Sequence, residues 1–298
     1  MPDYGMRVQF PVGLWAGVGL HVRPVAGDIT RILSDIHFGD HASQVHRLAQ
    51  IKPLLEGAAR VVLNGDTLDT RTGPRPQFTA ALREEVLAFF PRHTGTVTFL
   101  TGNHDPDIST EHATSLAGGL VEVTHGDILF ENMTPWGRDV PQIERLLNDA
   151  FAAMAPGARE RLSLTERYAL WRRVAVAIPQ RHQAEPNRLK YLFRFATDTV
   201  WPPQRPFRII HIWRTEAERG AAFARRHLAQ AKFLVLGHTH RPHISRTASG
   251  VTVINTGAYC RPFKPYAVDV TADRLVVREI VVRAGEYRLG GTAGEFAL

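Results

Sequence analysis

Carboxylate, amide and imidazole side chains recur along the chain in short clusters that suit metal coordination. Divalent metals of hard or borderline character bind carboxylate oxygen and imidazole nitrogen, and rigid loops hold them best. In an extended segment, residues two positions apart point the same way, so Asp-x-His and His-x-His pairs each aim two ligands at one place. Together the clusters offer enough ligands for two metal ions. They are Asp35 with His37, Asp66, Asn103 with His104, His125, and His238 with His240.

The early clusters each follow a short apolar run that is typical of a β-strand. Ile29–Leu33 leads into SDIHFGD, Val61–Leu63 into NGDTLD, Val97–Leu100 into TGNHD, and Leu120–Val123 into THGD. Between them, Val45–Leu55 and Phe78–Phe90 have the periodicity of amphipathic helices. Open α/β sheets place their ligand crevice beyond the carboxyl ends of their strands. The order of elements therefore predicts an α/β fold with the clusters gathered at one site.

The middle of the chain is helical in pattern. From Pro141 to Gln230 apolar residues recur at helical spacing; Leu189, Phe193, Ala196 and Val200, for example, share one face. Strand character returns at Lys232–Leu236, Val251–Ile254, Tyr266–Val270 and Leu275–Val282. We therefore predict one domain over residues 1–298, with residues 138–231 inserted into it as a helical cap.

The positive charge of the chain is concentrated in this same segment. Residues 138–231 hold 16 Arg and one Lys against nine acidic residues, whereas the whole chain has a net charge of +7. A basic surface suits nucleic acid, an anionic membrane or a phosphorylated substrate. Arginine outnumbers lysine 32 to 4 throughout, so a general preference for arginine would account for the same excess.

Cysteine content and hydropathy limit the class of protein. The single cysteine, Cys260, excludes an internal disulfide framework and a cysteine-based zinc site, and it is consistent with a reducing cytoplasm. No apolar stretch reaches the roughly 18 residues that a membrane span needs. The moderately apolar segment before Pro24 is predicted to be a strand or hairpin rather than a signal peptide. We expect a cytoplasmic protein, with peripheral membrane association left open.

The five motifs in this order resemble the calcineurin-like metallophosphoesterase superfamily. The quoted forms are SDIHFGD, NGDTLD, GNHD, THGD and GHTH, and the resemblance extends from about residue 29 to 282 outside the helical insertion. It implies a four-layer α/β/β/α sandwich with a helical cap insertion and with metals at the strand ends. It also implies a hydrolase that acts on phosphate ester bonds.

Transferred residue by residue, the resemblance implies two divalent transition metal ions. Manganese is expected, with iron or zinc as alternatives. Asp66 would bridge the two ions, and a hydroxide between them would attack phosphorus in line with the leaving group. The first ion would be bound by Asp35, His37, Asp66 and His240, and the second by Asp66, Asn103, His125 and His238.

Further roles are predicted for residues beside these ligands. His104 is expected to be the general acid for the leaving oxygen, or a cation that stabilises the phosphoryl charge. Asp69 would orient His104. Arg241, which follows GHTH, and His41, which follows SDIHFGD, are candidate substrate-binding residues. Asp105 of GNHD is expected to stabilise its own turn.

The substrate is less constrained than the reaction, and a phosphodiester or pyrophosphate is the leading prediction. THGD followed later by GHTHRP resembles the UDP-2,3-diacylglucosamine pyrophosphatase group, but that group has Arg where this chain has His104, and the insertion here is longer than expected. A nuclease that uses the basic cap is a further candidate, and so is a non-catalytic metal-binding scaffold. Preference for monoesters or diesters and the oligomeric state stay open.

Overall fold

The computed structural model describes residues 29–298 apart from residues 182, 184 and 186. The strand or hairpin predicted for the N-terminal segment lies outside the described residues. The strands, in chain order, are β1 (Thr30–Leu33), β2 (Arg60–Asn64), β3 (Thr96–Leu100), β4 (Ala113–Leu116), β5 (Val121–Thr124), β6 (Phe233–Leu236), β7 (His243–Arg246), β8 (Thr252–Asn255), β9 (Tyr266–Val270), β10 (Arg274–Arg283) and β11 (Glu286–Ala297).

These strands form two sheets that place several strand ends at a common edge. The first sheet has the order β11-β10-β9-β1-β2-β3, and the second has the order β4-β5-β6-β8-β7. Strands β1, β2 and β3 run parallel to one another, as do β5, β6 and β8. Parallel strands bring their carboxyl ends together, so the loops that follow them are neighbours.

Helices cover the outer faces of the two sheets. The α-helices of the described chain are α1 (Pro76–His93), α2 (Val140–Ala152), α3 (Ala158–Arg161), α4 (Leu164–Val176), α5 (Arg188–Val200) and α6 (Gln204–His227), of which α1, α2, α4 and α6 pack on the sheets. In the described part of the chain, no helix is long and apolar enough to cross a bilayer.

Three apolar clusters hold the layers together. One lies between the sheets and joins Ile32 and Val62 to Val235 and Ile254. A second packs α1 and a short 3-10 helix on the first sheet, and a third packs α2, α4 and α6 on the second sheet. The layers therefore run helix, sheet, sheet, helix, which confirms the predicted α/β/β/α sandwich.

Local structure differs from the sequence pattern at the sheet edges and at one helix. Strands β4, β7 and β11 were not predicted; each is an edge strand, whereas β3, the other edge strand of the first sheet, was predicted from its apolar run. An edge strand has solvent on one side and needs no continuous apolar pattern, which removes the sequence signal. The helix predicted over Val45–Leu55 is a 3-10 helix over Leu48–Leu54, where Pro53 removes a backbone donor that an α-helix would use.

The segment 138–231, predicted to be a cap, contains helices in two different settings. Helices α2 and α4 and the second half of α6 belong to the cluster on the second sheet. Gly220 of α6 lies so close to the sheet that an added Cβ would be 3.2 Å from Leu234. Helix α5, in contrast, packs chiefly against α6. Helix α6 therefore joins the sheet layer to the helical part outside it.

Candidate metal centre

The polar motifs lie in loops that leave the carboxyl ends of five parallel strands. Asp35 follows β1, Asp66 follows β2, Asn103 follows β3, His125 follows β5, and His238 follows β6. Backbone hydrogen bonds connect these loops, because Asp35 N donates to Gly65 O over 3.1 Å and Gly237 N donates to His125 O over 2.9 Å. The seam between the two sheets thus gathers residues that are as far apart in sequence as Asp35 and His238, 203 positions.

Two adjoining groups of side chains can each hold one metal ion. Within each group, one ligand atom per residue lies within 4.8 Å of all the others. Asp66 belongs to both groups, as expected for a bridging carboxylate. The first group is Asp35, His37, Asp66 and His240, and the second is Asp66, His125 and His238.

Individual distances show how closely the ligand atoms converge. His37 Nε2 lies 3.1 Å from His240 Nε2, and His240 Nε2 lies 3.4 Å from Asp35 Oδ1. In the second group, His125 Nε2 lies 3.3 Å from Asp66 Oδ2 and 3.3 Å from Asn103 Oδ1. Asn103 is therefore beside the second group, and all seven predicted ligands come together.

In two of the histidines, a backbone carbonyl occupies one ring nitrogen and so determines which nitrogen is left for a metal ion. His125 Nδ1 is 3.0 Å from Asn64 O, so its Nε2 faces Asp66. His238 Nε2 is 2.8 Å from Met133 O, which leaves the lone pair on Nδ1. A ring N–H donated to a carbonyl fixes the tautomer of a histidine and orients it as a metal ligand.

The backbone is strained at the ligand positions. Asp35, His37 and Asp66 have φ angles of 50°, 50° and 49°, and His238 and His240 have φ angles of 71° and 64°. Residues other than glycine rarely adopt positive φ, and such strain concentrates at functional sites where the surroundings enforce it. Five of the seven candidate ligands thus owe their direction to a conformation that the fold imposes.

Two glycines leave room for the ligand carboxylates, and one buried carboxylate holds the loops around them. A Cβ on Gly237 would lie 2.1 Å from Asp35 Oδ2, and one on Gly102 would lie 2.2 Å from Asp66 Oδ1. The buried Asp105 carboxylate accepts from the backbone N–H of Asp66, Thr67 and Gly102 at 2.9, 2.7 and 2.8 Å. Asp105 therefore ties its own turn to the loop of Asp66, which is a wider role than the turn stabilisation predicted.

Ionisation of His37, His238 and Asp66 matches what metal ligation requires. Burial lowers the pKa of His37 to about 3, and burial followed by repulsion from His125 holds the pKa of His238 well below its usual value. Burial opposes ionisation of Asp66, but the neighbouring His125 and His104 hold the pKa of this carboxyl well below its usual range. Neutral imidazoles and an ionised carboxylate are the forms that bind metal. His125 differs: burial opposes its protonation, but the Asp66 carboxylate outweighs burial and holds the pKa of His125 well above its usual value, so a metal ion would have to displace this proton.

His104 stands beside the ligands in a separate polar group. Its backbone N–H donates to Asp66 Oδ1 over 2.8 Å, and its Nδ1 lies 3.0 Å from Asp69 Oδ2. Arg71 was missed by the sequence reasoning. It forms a bidentate ion pair with Asp69, with contacts of 3.0 and 2.6 Å, and its Nη2 is 2.8 Å from His104 Nδ1. Asp69 and Arg71 together occupy Nδ1, so Nε2 is the nitrogen of His104 that is left for a substrate.

A buried acid on α6 supports the loop that carries His238 and His240. Glu216 is 1 % exposed and accepts hydrogen bonds from Thr239 Oγ1 and Asn255 Nδ2 at 2.9 and 2.8 Å. Asn255 Nδ2 also donates to Gly237 O over 2.6 Å. The sequence offers no signal for this role, because a single acid within a helix is ordinarily a solvated residue. Only the packing of α6 on the sheet places it there.

The two predicted substrate-binding residues are peripheral to the ligands. His41 Nε2 lies 3.2 Å from Glu185 O, and its ring packs against Tyr191 with 5.2 Å between centroids. Its chain neighbours Asp40 and Ala42 line the cavity above the centre. Arg241 is exposed, and its guanidinium lies 5.8 Å from the ring centre of Trp213. Their roles in substrate binding stay predictions.

A cavity of about 460 Å³ opens over the centre and extends between the helices. His37, His104 and His240 form its floor, and apolar side chains of α5 and α6 line its sides, with an arginine-rich rim. The apolar residues are Phe195 on α5, Ile209, Ile212 and Trp213 on α6, and Phe263 in the loop after β8; the arginines include Arg138, Arg181 and Arg205. An anionic group at the floor and an apolar group along the sides would both find suitable surroundings.

Replacement of Gly102 by alanine should weaken metal binding without unfolding the protein. The added Cβ would overlap the Asp66 carboxylate and displace the residue common to both ligand groups. We expect the affinity for Mn²⁺ to fall by about 10–100-fold, as measured by calorimetric titration. The control is Gly291→Ala on β11, where the nearest atom to the new Cβ is 4.0 Å away. Equal affinities for the two variants would contradict this role of Gly102.

Glu216 should make the metal-free protein less stable as pH rises. Burial raises the pKa of Glu216 from 4.5 to about 8 in the folded chain. Above pH 4.5 the unfolded chain has released this proton while the folded chain still holds it, so the free energy of unfolding falls until about pH 8. Glu216→Gln stays neutral and should lose this part of the pH dependence in urea denaturation. Glu218→Gln, at an exposed position of α6, should retain it.

The chain is similar to proteins of a known family. The family model described as calcineurin-like phosphoesterase matches residues 31–242. None of the curated proteins compared with the chain matches it.

Among solved structures, Vacuolar Protein Sorting 29 from Cryptosporidium parvum has 13% identity and a TM-score of 0.41, and the match covers 91% of this chain and 99% of that chain. A dimetal phosphatase from Danio rerio has 12% identity and a TM-score of 0.41, with 85% and 96% covered. The chain belongs to the calcineurin-like phosphoesterase family.

Proposed function

We propose that the protein hydrolyses a phosphate ester, in the form of a phosphodiester or a pyrophosphate, with the help of two divalent metal ions. The observation that carries the proposal is the pair of ligand groups that share Asp66 at the floor of an open cavity. Membership of the calcineurin-like phosphoesterase family supports the same reaction. A scaffold without activity would not need His104 facing the same cavity.

The donor set suits manganese, with iron or zinc as alternatives. Carboxylate, amide and imidazole ligands without thiolate fit ions of this hardness. Bound there, two such ions would polarise the phosphoryl oxygens and make a water nucleophilic near neutral pH. Asp35, His37 and His240 would hold the first ion and Asn103, His125 and His238 the second, with Asp66 between them. The buried carbonyls of Asn64 and Met133 would keep two of the imidazoles oriented.

His104 is proposed to donate the proton that the leaving oxygen needs. Its Nδ1 is occupied by Asp69 and Arg71, and its ring lines the cavity beside His37, with 5.0 Å between the ring centroids. Asp69 and Arg71 are positioning residues, because they hold the ring and do not line the floor between the ligands. A general acid at this place contributes most when the leaving group is a poor one.

Arginines at the cavity rim favour a substrate with more than one anionic group. Arg138, Arg181 and Arg205 line one side of the cavity together. Burial, followed by repulsion from Arg181, Arg205 and Arg194, lowers the pKa of Arg138, which is consistent with an excess of positive charge at the rim. A pyrophosphate would bring more than one negative charge to complement them.

A pyrophosphate linked to a hydrocarbon group is the second candidate substrate. The apolar walls formed by Phe195, Ile209, Ile212 and Trp213 are the specific observation that favours it. The UDP-2,3-diacylglucosamine pyrophosphatase group, which the later motifs resemble, acts on such a molecule. A nuclease would use the same arginines for a phosphate backbone, and salt-dependent binding of DNA would then be observed.

Metal content and turnover of chromogenic esters test the proposed reaction. The purified protein should bind two Mn²⁺ ions and hydrolyse bis-p-nitrophenyl phosphate faster than p-nitrophenyl phosphate. Asp66→Ala should lose both ions and all measurable turnover, because it removes the residue common to both ligand groups. Full activity in Asp66→Ala would contradict the two-metal reaction. Bound metal without turnover of either ester would favour the non-catalytic scaffold.

Dependence on the leaving group tests the role of His104. His104→Gln should slow cleavage of alkyl phosphodiesters by about 10²–10⁴-fold, because alkoxide leaves poorly without a proton. Cleavage of p-nitrophenyl diesters should fall much less, since p-nitrophenolate leaves unaided. An equal loss with both leaving groups would instead assign His104 the role of a cation that stabilises the phosphoryl charge. His93→Gln, at an exposed site on α1, is the matched control.

A further inference from the structure

Helix α5 has apolar residues on two opposite faces. Tyr191 and Phe195 line the cavity over the metal centre. On the opposite face Leu189, Phe193 and Val200 are 79 %, 71 % and 60 % exposed. The sequence pattern groups the latter residues with Ala196 on one apolar face, and such a face ordinarily packs into a core. In the described part of the chain this face lies in solvent.

The exposed apolar surface continues across the turn into α6. Trp201 in the turn is 71 % exposed, and Phe207 and Ile210 on α6 are 74 % and 41 % exposed. We call this set the hairpin surface. It consists of Leu189, Phe193, Val200, Trp201, Phe207 and Ile210. Apart from Phe195, which lines the cavity, the other large apolar side chains exposed in the described residues are Phe78 and Leu87 on α1, Val176 on α4 and Val282 on β10, at most two on any one element. A concentration of this kind marks an interaction site.

Basic residues accompany the hairpin surface. Between residues 188 and 214 the sequence has six basic residues and one acidic residue. Five of the basic side chains are exposed and one is half-buried. The set is Arg188, Lys190, Arg194, Arg205, Arg208 and Arg214. Long basic side chains next to apolar ones extend their charges toward lipid headgroups while the apolar groups enter the acyl boundary.

We propose that the hairpin surface docks on a lipid bilayer that contains acidic phospholipid. The charge of the segment complements an anionic headgroup layer, and each nearby basic residue adds attraction. Trp201 at the turn has the amphipathic ring that favours the boundary between headgroups and hydrocarbon. Docking is a binding property separate from the proposed hydrolysis. Its consequence is that the cavity wall formed by the inner face of α5 would stand next to the membrane surface.

Co-sedimentation with vesicles tests the docking directly. The protein should sediment with vesicles of phosphatidylcholine and phosphatidylglycerol, and not with phosphatidylcholine alone. High salt should weaken the binding, because screening reduces the electrostatic attraction. Phe193→Ser combined with Trp201→Ser should weaken binding by about tenfold or more. Arg188→Gln combined with Lys190→Gln should weaken it as well. The matched control is Phe78→Ser with Val282→Ser, two exposed apolar residues outside the hairpin surface.

Two further measurements separate membrane docking from damage to the centre and from self-association. All these variants should keep the wild-type rate with a soluble diester, since none of the changed residues lines the cavity. Size-exclusion chromatography with light scattering shows whether the hairpin surface instead joins two copies of the chain. A dimer that Phe193→Ser with Trp201→Ser converts to a monomer, without vesicle binding by the wild type, would overturn the proposal. So would equal vesicle binding by wild type and that double variant.

Discussion

The buried carboxylate of Asp66 imposes the strictest requirement on the fold around it. An ionised carboxylate without partners inside a protein is costly, so it persists only where opposite charge and hydrogen bonds surround it. Here His125 lies 3.3 Å from one oxygen, and the His104 N–H donates to the other over 2.8 Å. The double sheet supplies these partners at its seam, and two metal ions would complete the neutralisation. The contacts between the loops at this seam and the proposed metal chemistry therefore both depend on Asp66.

Rigidity around Asp66 comes from the backbone as much as from side chains. Five of the seven candidate ligands have positive φ, glycines make room for the carboxylates, and Asp105 accepts hydrogen bonds from three backbone N–H groups of two loops. Such strain is tolerated because packing between the sheets holds both ends of every loop. A site arranged in this way is preorganised, so the proposed reaction would need little reordering of the protein.

Helix α6 packs on the second sheet, lines the cavity above the ligands and carries part of the exposed hairpin surface. Its second half packs on the sheet and places Glu216 beneath the loop of His238 and His240. Its middle forms part of the apolar wall above the ligands, and its first turns carry the exposed Phe207. The helical segment 138–231 is thus structurally continuous with the centre, although its sequence contains none of the candidate ligands. Substrate choice is proposed to depend on this segment.

Much of the centre follows from the sequence alone, because its ligands stand in local motifs that end predicted strands. The places of Asp35, Asp66, Asn103 and His238 could be predicted from the rule that strand ends gather ligands, and the α/β/β/α layers followed from the resemblance those motifs carry.

The remaining features depend on contacts between distant parts of the chain. Arg71 and Glu216 act through partners 33 and 23 residues away, and no local pattern marks such contacts. The edge strands β4, β7 and β11 lacked an apolar signal because most of their side chains are exposed or half-buried. The apolar face of α5 has the same periodicity whether it is buried or exposed, so only its packing against α6 showed that this face lies in solvent.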